Sequence, residues 1–576
     1  MCAGALAVCS GVAWATGPTF DAGALLEQIN RQTATPLSAP PAASLQPTEV
    51  LGKYEFRELP EHLVPVATAF LSRHEGKAVR MDSLLMDLYA YLQQRNPSDN
   101  FIFVARKLAD RHVLVAQKVV FDGVTIAANN SRSADTFLAG LIGHGLQQGT
   151  PLSYAQISRN ATVINELPGI VSQFIMKPGT APGSSHLHLS TDQGAFVAGS
   201  ASADNSGTRS LGTETTRADV AAYNHFGRAD ILRINGQLSR HSQSAGLDAS
   251  AIVHPSGLRA GLNLSTFHYG FRNETDGTLA GNPQYTQSHY TGVSISRGLN
   301  LTYPQLRTEE ARQNLTLDLH HNTSVSDVDI TQQTRILGTV PEQVNEARAD
   351  YRLSDLLVRK VTLGLNGARA QAGGATLNYQ LGLVLGHALQ RIASAATQDA
   401  GTEQALGQFG KALAAVQLSQ RLNWDGKAVD GLLVGEVQLS DGNLSGPEKA
   451  YLGGLYKMQG WGPQAVGGQQ LAYLRAQATR PVMDAPGTAV GAFAELAAVQ
   501  LSRHAYTASM GTQTYSVGTG WQTLSNVGLL LTHTPRPHIS WTAAVVKKIS
   551  RDPIVNGARL QGDGSVHGWI SARLTF

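Results

Sequence analysis

Histidines, carboxylates and cysteines are the side chains most able to hydrolyse a bond or hold a metal, so their spacing is the first thing to ask about in this 576-residue chain. His186 and His188 alternate, which puts both on one face of a strand and does not by itself build a ligand set. His320-His321 and the scattered carboxylates show no recognised ligand spacing, and His144, within LIGHGLQQG, stands alone as a structural or exposed side chain. There is no G-x-S-x-G elbow, no HExxH and no GxxxxGK[ST] phosphate loop. The two cysteines, Cys2 and Cys9, lie in the first ten residues. No catalytic, cofactor-binding or metal-binding residue is therefore expected, and the question becomes what the remaining architecture is for.

Composition narrows it. Charged residues make up 15% of the chain, against roughly 25% in ordinary soluble domains, while Gly contributes 59 residues and Pro 23. That balance suits many short strands whose polar faces carry Ser, Thr, Asn and Gln. A formal charge of +3, with no dense Lys/Arg patch interleaved with aromatics, argues against nucleic acid as a partner. Residues 1–15 are uncharged and largely apolar, and Ala13-Trp14-Ala15 offers a small-x-small cleavage site, so they read as a signal peptide whose missing basic start points to an internal or misassigned Met1. Cleavage would leave a cysteine-free protein, in keeping with an oxidising envelope. A buried N-terminal strand or helix is the alternative. No later run of 18 apolar residues exists, so any membrane insertion requires a closed barrel.

The first third reads as modular. Residues 19–32 form a short helix with Leu25, Leu26 and Ile29 on one face. Residues 33–47, TATPLSAPPAASLQP, are a Pro-rich linker that no helix can cross. Two α+β patterns follow, at 48–119 and 120–192. In the first, strands are predicted at 53–56, 100–104 and 112–120 and helices at 63–72 and 81–95; in the second, strands at 123–126, 170–176 and 186–189 and helices at 137–147 and 154–166. Each unit could bury a small core of two helices against three strands, although both could also be parts of one α+β domain.

From about residue 193 to 576 the texture changes to strand-length segments with Gly- and Asn-rich turns. In the last segment Val566, Gly568, Ile570, Ala572, Leu574 and Phe576 fall on one side and Trp569, Ser571, Arg573 and Thr575 on the other. Leu433, Gly435, Val437 and Leu439 alternate with Val434, Glu436, Gln438 and Ser440; Leu258, Ala260, Leu262 and Leu264 alternate with Arg259, Gly261, Asn263 and Ser265. In a membrane barrel the first set of each faces lipid and the second the lumen. About 16 strands would have about 24 residues each with their connections, where a tilted spanning strand needs roughly 9 to 11. A soluble β-helix or a large adhesin would share the composition but would not need to end on an aromatic residue, which outer-membrane proteins typically place last as an insertion signal. Phe576 stands there.

Three segments in order carry a resemblance. Val163-Ile164-Asn165-Glu166-Leu167-Pro168-Gly169-Ile170 resembles L-N-D-L-P-G-V, with Asn165, Leu167, Pro168 and Gly169 as its core. Lys177 to Ser185, KPGTAPGSS, resembles L-x-P-G-x-x-x-G-x-S/T. Asp204 to Gly212, DNSGTRSLG, resembles the barrel opening D-N-x-G-S/N-R-x-x-G through Asp204, Asn205, Gly207 and Arg209. These motifs, and the order of parts, resemble the transporters of two-partner secretion, the haemolysin and filamentous-adhesin exporters within the Omp85 superfamily. The resemblance covers nearly the whole mature chain. It implies a plug helix at 19–32, two POTRA domains and a transmembrane antiparallel β-barrel of 16 strands with a loop, near 445–470, folded inward.

That loop carries V-R-G-Y or V-R-G-F in the family. Here the matching place reads Met458-Gln459-Gly460-Trp461, and the partner motif F-x-D-x-G on the barrel wall is met by Phe493 and Glu495. An Arg–Asp pair has become Gln opposite Glu, which replaces a bidentate charge-assisted contact with one amide donor. Anchoring of the loop is expected to be weaker or supplied in another way; a surface turn at Gly460-Trp461 is the bland alternative. The resemblance implies export of a large adhesin- or haemolysin-type protein bearing an N-terminal secretion domain, recognised by the POTRA-type modules, by a monomeric barrel that meets outer-membrane lipids and is inserted by the barrel assembly machinery. An Omp85-type factor assembling outer-membrane proteins or lipids, or a barrel hydrolase, are the alternatives.

Overall fold

The structure is a computed structural model that describes residues 49–79, 81–93, 102–107, 111–117, 119–181, 184–308, 310–337, 343–482, 485–510, 513–555, 558–560 and 564–576. The expected signal segment, the helix bearing Leu25, Leu26 and Ile29, and the Pro-rich linker lie outside these residues.

The first module has a two-residue pair, β1 (Glu49–Val50) with β3 (Ala78–Val79), and a three-stranded sheet built from β2 (Lys53–Arg57), β4 (Ile102–Lys107) and β5 (Arg111–Gln117) in the order β2-β5-β4. Helix α1 (Val64–Leu71) tolerates Pro65 because the amides of a first turn have no acceptor within the helix, so the N–H that proline lacks costs no helical bond. Leu84, Leu88 and Leu92 recur every fourth residue on α2 (Met81–Gln93) and bury one stripe with Leu71 and Leu114. The strand expected over 112–120 ends at Gln117, and Val120 opens the next module instead.

The second module repeats the plan: β6 (Val120–Asn130), β7 (Ile170–Pro178) and β8 (Ser184–Gln193) in the order β6-β8-β7, covered by α3 (Asp135–Ile142) and α4 (Tyr154–Asn165). Ser153 caps α4 by accepting from the Gln156 amide at 3.3 Å. The helix expected to reach Gln147 stops at Ile142, because Gly143 and the left-handed Gly145 turn the chain there. Buried Asn160 then donates to the freed carbonyls of Ile142 (2.9 Å) and His144 (2.7 Å), groups that the helix end leaves open.

Sixteen strands close into a barrel: β9 (Val197–Asp204), β10 (Thr215–Tyr223), β11 (Ile231–Ser239), β12 (Ser242–Ile252), β13 (Arg259–Leu279), β14 (Asn282–Arg307), β15 (Ala311–Ile336), β16 (Gln343–Ala370), β17 (Thr376–Gln390), β18 (Gly407–Trp424), β19 (Lys427–Ser440), then β22, β23, β26, β27 and β30. Between them, β20 (Ala450–Leu452) pairs with β21 (Val466–Gly468), β22 spans Gln470–Pro481 and β23 Thr488–Gln500. β24 (Tyr506–Met510) pairs with β25 (Gln513–Val517), followed by β26 (Trp521–Arg536) and β27 (Ile539–Lys548), the short pair β28 (Ile554–Val555) and β29 (Ala558–Arg559), and β30 (Val566–Thr575). A short helix, α5 (Ala393–Gly401), sits between β17 and β18. The alternation is as the period-two pattern requires: Leu433, Val437 and Leu439 are exposed on the outside and Val434, Glu436 and Gln438 buried inside. Strands β13 to β16 are 21 to 28 residues long, well beyond a spanning length, and so project past the apolar band on the side away from the modules.

Antiparallel pairing of β30 with β9 closes the cylinder and leaves no open edge for lipid to meet. Phe576 extends the seam, exchanging main-chain bonds with Gly199 at 2.8 and 3.0 Å. A Cβ on Gly199 would come within 2.5 Å of the Phe576 ring, so glycine is what lets the last residue lie there. Among the described residues no helix is long and apolar enough to cross a membrane; the strands do the crossing.

Candidate functional site: the inward loop and its anchors

Residues 441–469 join β19 to β22 and, instead of standing clear of the barrel, fold into it. Leu444, Leu452, Met458, Trp461 and Val466 are buried, and the β20–β21 pair makes the loop a hairpin. Gly453 and Gly454, both at positive φ, start the tip; a Cβ on Gly453 would sit 2.0 Å from the Gly462 carbonyl. The Gly454 amide donates to Trp461 O at 2.9 Å and the Trp461 amide to Met458 O at 3.0 Å, which sets Gln459 and Gly460 at the apex.

The apex meets the wall at Glu495, whose side chain is fully buried on β23. Its Oε2 accepts from the backbone amide of Gln459 at 2.7 Å. Its Oε1 accepts from the Tyr473 hydroxyl at 2.6 Å and from Arg475 Nη1 at 3.3 Å. Arg475 on β22 is the direct cross-strand partner of Glu495, and its guanidinium lies 4.0 Å over the Phe493 ring. The expectation of a Gln side chain opposite Glu495 is thus corrected. The Gln459 amide group turns back to Leu455 O at 2.5 Å, and the loop offers only main chain to the carboxylate. The guanidinium that the motif V-R-G-Y would bring from the loop comes here from Arg475 on the wall.

Further bonds hold the same tip. Trp569 Nε1 donates to Gln459 O at 2.7 Å, and Trp461 Nε1 donates to Asp552 at 2.8 Å while Lys548 stands 5.3 Å from its ring. Trp461 is completely buried, which removes the surface-turn reading. A Cβ on Gly460 would press on Asn526 and Lys548 at 3.1 and 3.2 Å, so glycine permits this approach. Lys457 pairs with Glu436 at 2.8 Å.

A second anchor lies at the root of the loop. Glu448, buried, takes Lys360 on one oxygen and Lys411 on the other, each at 2.8 Å, and Lys411 also reaches its carbonyl at 2.9 Å. Nothing in the spacing of residues 360, 411 and 448 could have announced this; neither could the 20-residue gap between Arg475 and Glu495, because register across strands is invisible in one dimension.

The other residues singled out by motif lie apart from the loop. Asp204 accepts from the Ser206 amide at 2.9 Å and pairs with Arg217, at the surface turn after β9. Asn205 bridges the barrel seam, donating to Gly568 O and accepting from the Ile570 amide, both at 2.9 Å. A Cβ on Gly207 would collide with Gly212 O, and Arg209 is exposed on the same turn. On the modules' side, Leu167 is in the second module's core and Asn165 accepts from Ser172 Oγ at 2.5 Å. Gly169, at φ +70° just after Pro168, abuts Tyr223 at the foot of β10. Glu166 beside them binds Arg307 at 2.7 Å and Arg312 at 3.1 Å, and Arg159 donates to Pro304 O at 2.9 Å, so this turn docks the module onto the barrel. His144 is in the same contact, edge-on to His254; burial first, then Arg159 and His254, hold its pKa below the ordinary 6.5. Among the described residues no cluster could hold a metal ion.

Residues 183–520, more than half of the chain, match the family described as haemolysin secretion/activation protein ShlB/FhaC/HecB. The protein belongs to this family. It is 26% identical over 339 residues to the outer membrane transporter CdiB of Dickeya dadantii (strain 3937), an alignment that takes in 57% of this chain and only 54% of that protein, so the match spans about half the length of that curated relative. Among solved structures it is similar to CdiB from Escherichia coli (TM-score 0.60, 16% identity, 98% of this chain and 100% of that one) and to CdiB from Acinetobacter baumannii (TM-score 0.60, 15% identity, 96% of each). At such identity the likeness is one of fold. Membership in the ShlB/FhaC/HecB family sets the barrel in the outer membrane with the POTRA-type modules on the periplasmic side, so β9 runs outward and the inward loop enters from the cell surface.

Proposed function

We propose that this protein carries a large partner exoprotein, adhesin- or haemolysin-like, from the periplasm to the cell surface without nucleotide. What supports the reading is a loop lodged inside a closed sixteen-stranded barrel and fastened there by discrete polar contacts, with the second module docked at the mouth that faces the client's compartment. The loop also buries Leu452, Met458, Trp461 and Val466 against the wall, so its release has to undo that packing together with the polar anchors.

The client would first meet the modules. β7 pairs with β8 on one side only among the described residues, and its Val171 and Ile175 are exposed. Such an edge can add an unfolded strand, main-chain bonds giving affinity and alternate side chains selectivity. The helix at 19–32 would withdraw with the loop, and folding outside the cell would bias movement outward. The test is co-expression with an exoprotein encoded beside this gene, assaying supernatant and cell surface. Deletion of residues 49–190 is expected to abolish export while the barrel stays inserted; export by the barrel portion alone would overturn the proposal.

A further inference from the structure

The outer wall of the barrel should be apolar, yet four cationic or titratable side chains stand side by side on it. Arg297 on β14, His321 on β15, Arg359 on β16 and His387 on β17 are consecutive cross-strand partners, hence neighbours on one face. That face is the lipid face. The row next to it toward the periplasm, Leu299, Leu319, Val361 and Leu385, is exposed throughout, Leu385 by 71%. Beyond that row come Leu301, Leu363 and Leu383, again exposed.

The height of the row is what gives it meaning. Arg297 lies ten residues from the periplasmic end of β14 at Arg307, and His321 ten from the start of β15 at Ala311. At ~3.4 Å per residue and a tilt of ~40°, ten residues climb ~26 Å, the height of the apolar band of such barrels. Since Arg307 already binds the periplasmic module, and Ile295, Leu357 and Leu389 form the next row outward, the four side chains stand in the outer half of the apolar wall, from which arginines can reach up to the headgroups of the outer leaflet. An open groove of about 1030 Å³ runs along them, with Leu262, Leu299 and Leu385 in its walls. Among the described residues neither Arg297 nor Arg359 has a carboxylate partner. Unpaired guanidinium groups against lipid are costly by ~2–4 kcal/mol toward the membrane centre, and less at the interface when an anion meets them.

We infer that this row and groove bind the phosphate of an anionic lipid of the outer leaflet, the arginines gripping phosphate oxygens and the leucine rows taking the acyl chains. Arg297 and Arg359 are two strands apart, ~10 Å, so a headgroup with more than one phosphate can engage both. The inference depends on the orientation of the barrel, not on what passes through it.

The test uses the full chain purified in zwitterionic detergent, following barrel unfolding by its heat-modifiable electrophoretic mobility. The probes are lipid A with two phosphates, the same lipid dephosphorylated, and inorganic phosphate at matched concentration. The bis-phosphorylated lipid is expected to raise the unfolding temperature and the other two are not. Arg297→Gln with Arg359→Gln should weaken the apparent affinity about tenfold or more, equal to ~1.4 kcal/mol, while Arg480→Gln on the outward face near the periplasm leaves it unchanged. Should the double variant fail to insert, Arg297→Gln and His387→Gln are compared singly. An undiminished response in the variants, an equal response to dephosphorylated lipid, or an equal response to inorganic phosphate would each overturn the inference.

Discussion

The backbone amide of Gln459 donates to the buried carboxylate of Glu495 across 2.7 Å, so the tip of the inward loop is held by its main chain and not by the side chain that the motif would have supplied. The side chain at 459 is therefore replaceable and the one at 495 is not. Glu495→Gln is expected to free the tip and leave Arg475 as an unpaired buried charge, a cost of ~3–5 kcal/mol. Gln459→Ala keeps the amide and should cost ~1 kcal/mol. Protease accessibility of residues 441–469 on intact cells compares the two; equal exposure would refute the assignment.

Restoring the family's arginine should not restore stronger anchoring. Arg475 already occupies the carboxylate, and Gln459→Arg would bring a second guanidinium into the same buried space. Secretion of the partner protein by Gln459→Arg is expected to be no higher than with the natural residue. Combined with Arg475→Gln, however, it should recover much of what Arg475→Gln alone loses. A double-mutant cycle on export and on loop accessibility measures that coupling.

Glu448→Ala strands two buried lysines, Lys360 and Lys411, at the root of the loop. A loss of ~3–5 kcal/mol is expected, seen as a barrel that unfolds at lower temperature in heat-modifiability gels. Glu448→Ala combined with Lys360→Met and Lys411→Met should regain most of it, since no unpaired charge then remains.

Docking of the second module should be sensitive to Glu166. Its removal leaves Arg307, largely buried, without its closest anion at 2.7 Å, and a cost of ~1–3 kcal/mol to the interface is expected. Hydrogen exchange at residues 159–170 should rise in Glu166→Ala while the barrel strands stay protected.

Acid should loosen the same interface. The docked state keeps the His144 ring neutral, with its pKa below 6.5 because of burial and then of Arg159 and His254, whereas an undocked ring titrates near 6.5. Docking is thus at full strength above that pH and weakens as the pH falls below it. His144→Gln should flatten the pH dependence of exchange at residues 140–166; an unchanged slope would rule this residue out as its source.

The sequence by itself determined the class of the molecule. Side chains on a strand alternate, so Leu433, Val437 and Leu439 against Val434, Glu436 and Gln438 reveal a lipid face and a lumen face without any knowledge of neighbours. Leucines at fourth-residue spacing reveal α2 in the same local way, and the ordered motifs at 163–170, 177–185 and 204–212 carry the family. Contacts between distant strands have no such local signature. That Arg475 stands opposite Glu495, that Glu448 gathers Lys360 and Lys411, that Asn205 spans the seam and that Arg297, His321, Arg359 and His387 form one row all depend on register and closure. Those are set only when sixteen strands have chosen their partners, because a shift of one residue would send every one of these side chains to the other face.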